Sequence, residues 1–209
     1  MIEQITTMLE MQDAMNSKVH PQWREQGYAW YRAIWVECAE LMDHYGWKWW
    51  KKQEPDMDQV TLELIDIWHF GLSICLTQQN SDESLSDTAG KIAHSLNLEG
   101  DAQDFRSCLE TFTASTLQTQ SFNIAEFGEL MKATDLDFEH LYRSYVGKNV
   151  LNFFRQDHGY KDGSYRKIWS GKEDNEHLVE VLAEMDALQQ DFKQALYDNL
   201  KQRYEAREA

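Results

Sequence analysis

Helix breakers and positive charge are both scarce in this sequence. Its 209 residues include two prolines, Pro21 and Pro55, and ten glycines. Apolar–polar alternation of the strand kind is equally rare, while Leu, Glu, Gln, Lys and Met are plentiful. An all-α fold is therefore expected. Basic residues number 20 against 36 acidic ones, a formal net charge of −16. That deficit argues against general nucleic-acid binding, which needs a basic footprint, so no nucleic acid is expected among the partners. A local cationic cluster can still hold an anion.

Cysteine is sparse too. Cys38, Cys75 and Cys108 are odd in number and widely spaced, so they read as reduced thiols of a cytoplasmic protein rather than a disulfide framework. No charged segment followed by an apolar core opens the chain. The longest apolar stretches are interrupted by Glu, Asp, His or Gln before the length a bilayer requires. Neither a signal peptide nor a membrane contact is expected.

The chain reads as a single domain, 1–209. Residues 2–18 form a first amphipathic helix, whose stripe of Ile2, Ile5 and Leu9 continues through Gln12 and Asn16 and ends at His20-Pro21. A second helix is expected from about Tyr28 to Tyr45. A connector, Gly46-Trp47-Lys48-Trp49-Trp50-Lys51-Lys52, follows and closes at Pro55. A third helix, Asp56 to Gln79, is apolar on nearly every side and is expected at the centre of the fold. Residues 80–121 are polar and weakly periodic, and read as one or two peripheral helices. Strong helical patterning returns over 123–134 and 137–157. A loop follows, Gly159 to Tyr165, and then a long charged helix over 174–207, with Leu178, Val179, Leu182, Met185 and Leu188 on one face.

Two of these helices carry paired carboxylates: Glu37 and Glu40 on the second, Glu63 and Asp66 on the third. Spacing of three residues puts both acids of a pair on one helical face. Glu37 aligns with Trp30, Ile34 and Leu41, whereas Glu63 and Asp66 lie among Leu62, Leu64, Ile65, Ile67 and Trp68. Four like charges on inward faces are prohibitively costly unless a cation neutralises them. The economical reading is a hard divalent cation, Mg²⁺ with Mn²⁺ as a substitute, held between two packed helices. No His or Cys stands at ligand spacing beside the quartet, which argues against zinc.

Lys148, Asn152 and Arg155 share one helical face and precede Tyr160 and Lys161. Arg brings a bidentate fork and Lys a point charge, a combination suited to phosphate oxygens. Gln12 and Asn16 are amides on an otherwise apolar stripe, able to read a base edge. Trp47, Trp49 and Trp50 suit either stacking or packing. Phosphate-loop, dinucleotide and nucleophile-elbow motifs are absent.

Glu37-x-x-Glu40 followed by Glu63-x-x-Asp66 on two helices resembles the all-α NTP pyrophosphatase superfamily, which includes MazG-like proteins. The Gly46–Lys51 connector and the Lys148–Tyr165 segment are more specifically similar to the dimeric dUTPases, over residue 1 to about 170. The resemblance implies a helical bundle with a peripheral insertion, and hydrolysis of dUTP, and often dUDP, to dUMP, keeping uracil out of DNA. It implies that Glu37, Glu40, Glu63 and Asp66 bind Mg²⁺, with Glu40 or Glu37 activating the attacking water. Lys148, Asn152, Arg155, Tyr160, Lys161 and Lys52 would hold the phosphates, and Gln12 and Asn16 the uracil. A homodimer is implied as well. The alternatives are a dCTP/dUTP or modified-nucleotide pyrophosphatase of the same fold, and a non-catalytic helical protein whose acids line an interface. A di-iron bundle ranks last, because Asp66 stands where its histidine should be.

Overall fold

The computed structural model describes residues 1–185 and 192–206. The all-α expectation holds: among the described residues there are nine α-helices and one two-stranded ribbon. They form two compact units, Met1–Tyr142 and Arg143–Ala209.

The first unit contains α1 (Ile2–Val19), α2 (Trp30–Tyr45), α3 (Met57–Thr77), α4 (Leu85–Ser95), α5 (Phe105–Thr119) and α6 (Ile124–Ala133), together with the start of α7 (Phe138–Asp157). Short polar side chains set where the helices begin. Asp56, Ser84, Asp104 and Asn123 each accept a backbone N–H at the first turn of α3, α4, α5 and α6. At α4 the Asp87 carboxylate reaches back to complete a capping box. Gly46 ends α2 at φ 93°, ψ 120°, a backbone region that essentially requires glycine.

Helix α3 is the central element and packs on both α1 and α2, while α5 packs on α2 and α6. Its Leu64, Ile65, Trp68 and Leu72 are fully buried. The Trp68 ring stacks on Phe127 at 5.2 Å, and its indole N–H points at Met8 Sδ, 3.4 Å away. Gly71 makes room for Phe122: a Cβ there would lie 2.7 Å from the ring. Contrary to expectation, one apolar stretch does reach spanning length. Helix α3 runs 21 residues, with a mean hydropathy of 1.4 over an 18-residue window. Most of that window is buried inside the protein, so the apolar run serves the core.

The second unit holds the rest of α7, β1 (Ile168–Trp169), β2 (Lys172–Glu173), α8 (Asp174–Glu184) and α9 (Phe192–Glu205). The strands pair antiparallel through Ser170 and Gly171, at φ 46° and 80°. Two successive positive φ values give the hairpin turn whose twist matches its strands. Phe154 and Trp169 anchor an aromatic core with Tyr165, His177 and Tyr204.

The single helix expected over 174–207 is two helices. Met185 adopts an extended backbone (φ −108°, ψ 149°) and stops α8. The inward face of α8 is Asp174, His177, Leu178 and Val181, whereas Val179 is exposed. The spacing is a regular helical stripe, obscured in the sequence because its first two members are polar. Leu182 packs against Gly147, and Leu188 lies outside the described residues.

Candidate metal and nucleotide site

Side-by-side packing of α2 and α3 brings Glu37, Glu63 and Asp66 together. One carboxylate oxygen from each lies within 4.8 Å of the others. Glu63 is buried; Glu37 and Asp66 are half-buried. Burial, the Asp66 charge, a hydrogen bond with Glu63 and the charges of Glu63 and Glu40 raise Glu37 from its ordinary 4.5 to about 8. At neutral pH such a cluster must hold either a proton or a cation. The donors are all carboxylate oxygen, which suits a hard divalent ion and not a thiolate- or imidazole-seeking one. Glu40 is exposed, one turn beyond Glu37, and acts on it through charge without joining the three-oxygen cluster. His44 stands at the edge, its Nε2 3.5 Å from Glu63 Oε1.

Between α1 and α3 runs a buried polar chain. Ser73 Oγ donates to the His69 carbonyl, 3.0 Å away. That hydroxyl is then the acceptor for Asn16 Nδ2 at 3.0 Å. Asn16 therefore turns its Oδ1 to Gln12 Nε2, also 3.0 Å away, and Gln12 presents Oε1 to His69 Nδ1 at 2.8 Å. The order of donors and acceptors fixes which end of each amide is oxygen and puts the ring proton of His69 on Nδ1.

In the second unit, the polar face of α7 is gripped by the first turn of α8. Arg155 donates from Nε and Nη2 to the two oxygens of Asp174, at 2.8 and 2.9 Å. Its Nη1 reaches Asn152 Oδ1 at 3.1 Å. Tyr165 donates to the same carboxylate, and Lys148 Nζ lies 3.3 Å from Asn175 Oδ1. Burial pushes Asp174 up, but the Arg155 hydrogen bonds and charge, with help from Tyr165, hold it below the ordinary carboxylate range. Tyr160 and Lys161 are exposed, the Tyr160 ring 5.9 Å from the Arg155 guanidinium. Lys52, in the first unit, is exposed and pairs with Glu54 at 2.9 Å.

A family model for dUTPase matches residues 4–160. The chain belongs to the dUTPase family. It is an enzyme that hydrolyses dUTP, a dUTP diphosphatase. Among proteins of curated function, none matches the sequence.

In this dUTPase the doubled acidic motif assembles three of its four carboxylates, and both expected base-reading amides sit in one buried chain. Lys148, Asn152 and Arg155 keep to one face. Sequence reasoning missed the side chains that hold them. His69 and Ser73 continue the face of α3 that begins with Glu63 and Asp66, at successive intervals of three or four residues, so periodicity alone could have found them. Asp174, Asn175 and Tyr165 carried no such signal, because their partners lie 9 to 27 residues away in sequence and on other elements.

Proposed function

We propose that this dUTPase depends on Mg²⁺, with Mn²⁺ as a substitute, held by Glu37, Glu63 and Asp66 with Glu40 at the rim. The supporting observation is the meeting of three carboxylates in a half-buried setting that raises Glu37. A divalent cation there would neutralise phosphate charge and position a water for in-line attack. Glu40, exposed and unencumbered by the cluster, or Glu37 when displaced from its proton, accepts the proton of that water. Lys148, Asn152, Arg155, Tyr160, Lys161 and Lys52 supply the phosphate contacts. Gln12 and Asn16 read uracil with amides whose orientation Ser73 and His69 fix, so that cytosine leaves a donor facing a donor.

The same site would take dUDP and release dUMP from both substrates, keeping uracil out of DNA. Residues 1–209 act as one enzyme, cytoplasmic and homodimeric, with no nucleic-acid or membrane partner. The test is product release from dUTP, dUDP, dCTP, dTTP and UTP, in Mg²⁺ and in EDTA. Turnover of dUTP and dUDP that EDTA abolishes is the expected result. Turnover that survives EDTA would refute the metal assignment, and equal turnover of dCTP would refute the base reading.

A further inference from the structure

The polar segment 80–121 is attached to the site through its second helix. Phe105, the first residue of α5, stacks on Tyr45 at 4.0 Å, at the last turn of α2. Arg106 lies over the same ring, its Cζ 4.9 Å from the centroid. Its Nε donates to the Gly46 carbonyl at 3.0 Å, and Nη2 donates to the same oxygen. Gly46 is where the Trp/Lys connector begins. Its backbone is confined as well: a Cβ at this position would lie 2.9 Å from Gln53 Cβ. Gln53 Oε1 accepts the Lys48 N–H at 2.6 Å, and the Asp56 N–H donates to the His44 carbonyl at 3.0 Å. Both ends of the connector are thus tied to residues 44–48, and His44 lies against Glu63. Between the ties, Trp47, Trp49, Trp50, Lys51 and Lys52 are exposed.

We propose that Arg106 is a positioning residue for dUTP hydrolysis: its clamp on the Gly46 carbonyl fixes the connector so that Lys52 meets the phosphates in one geometry. The proposal rests on the reading of Lys52 as a phosphate contact. A carbonyl held by two N–H groups of one planar fork cannot rotate, so the chain leaves α2 in one direction. Without that hold, each binding event must order the exposed connector afresh, which weakens binding and leaves the chemical step untouched. The effect appears in KM rather than kcat.

Arg106→Met keeps the reach and removes the donors; Arg106→Lys restores one donor and the charge. In Mg²⁺ buffer, below the unfolding temperature of every variant, Arg106→Met should raise KM for dUTP about three- to tenfold, the ordering cost of one or two side chains. Its kcat should stay within about twofold of wild type. Arg106→Lys should recover part of the loss, and amide exchange over 46–56 should accelerate in Arg106→Met. Lys52→Ala should cost less in the Arg106→Met background than in wild type, because the two act together. Wild-type KM in Arg106→Met, with a Lys52→Ala effect unchanged between backgrounds, would overturn the proposal. A Lys52→Ala variant with wild-type KM would instead overturn the phosphate reading of Lys52. Should Arg106→Met fail to fold, Arg106→Lys carries the same comparison with Lys52→Ala.

Discussion

Removing the cation should leave the protein with a stability that falls as pH rises. In the unfolded chain Glu37 titrates at its ordinary 4.5; in the folded protein it titrates at about 8. Between those values the native state holds a proton that the unfolded chain has released. Stability is then at its highest below the unfolded value and declines as pH passes through the folded one. Fully expressed, the displacement is worth about 5 kcal/mol, at ~1.4 kcal/mol per pH unit. Glu37 is only half-buried, and solvent screening reduces this to roughly 2 kcal/mol. The assay is urea unfolding in EDTA at about pH 5.5, 7 and 8.5. The wild-type midpoint should drop across that series, and Glu37→Gln should flatten the slope and be the more stable protein at the highest pH. Mg²⁺ should restore most of the loss at the alkaline end and little at the acid end. A wild-type midpoint that is constant or rises with pH, or a Glu37→Gln variant with the same slope, would refute the reasoning. Asp174 does not confound the window, because its carboxyl is held below the ordinary range and titrates at more acid pH.

Mg²⁺ binding should displace the shared proton, so calorimetry in buffers of different ionisation enthalpy should detect proton release that falls away as pH rises from about 7 to about 9. Asp174→Ala leaves the Arg155 guanidinium inside the second unit without its carboxylate, and should cost about 3–5 kcal/mol of stability by urea denaturation. With Asp174 intact, the stabilisation from that pair is present above the ordinary carboxylate range and disappears as pH falls through the lowered value, so acid unfolding of Asp174→Ala should lack that component. Ser73→Ala removes the hydroxyl that directs Asn16, and should narrow the dUTP-over-dCTP ratio of kcat/KM by about tenfold while dUTP kcat holds; an unchanged ratio would detach the amide chain from base selection.

The sequence made the helices and the acids legible for the same reason. Periodicity exposes residues that violate it, and Glu63 and Asp66 violate the apolar surround of α3 conspicuously. Gln12 and Asn16 stood out likewise on α1. Glu40 shows where this reasoning ends. Its spacing from Glu37 is the same as that of Asp66 from Glu63, yet α2 has only one face against α3, and rotation by three residues carries Glu40 out to solvent. The stop at Met185 was invisible because nothing in Ala183-Glu184-Met185 breaks a helix by composition; only tertiary context does so. The grip of Asp174 on Arg155 and of Arg106 on Gly46 is likewise non-local, joining residues 19 and 60 positions apart. Patterns within a helix cannot encode such pairs.

Why the acids belong on the most buried helix follows from what a hard cation demands. Were Glu63 and Asp66 on an exposed helix, water would hydrate each carboxylate, mobile rotamers would keep them apart, and Mg²⁺, which sheds its own water reluctantly, would gain little by binding. Packing α3 between α1 and α2 removes that hydration in advance and holds the carboxylates within 4.8 Å of those on neighbouring turns and helices. The repulsion this creates is borne by the metal-free fold, and is visible in the raised Glu37. A cation bound there would relieve it, so part of its binding free energy would come from strain already built into the protein. A large apolar core around Trp68 is what lets the fold carry that strain. Further along the same face of α3, His69 and Ser73 hold Gln12 and Asn16, so under the proposed reading one helix face would serve both the cation and the base.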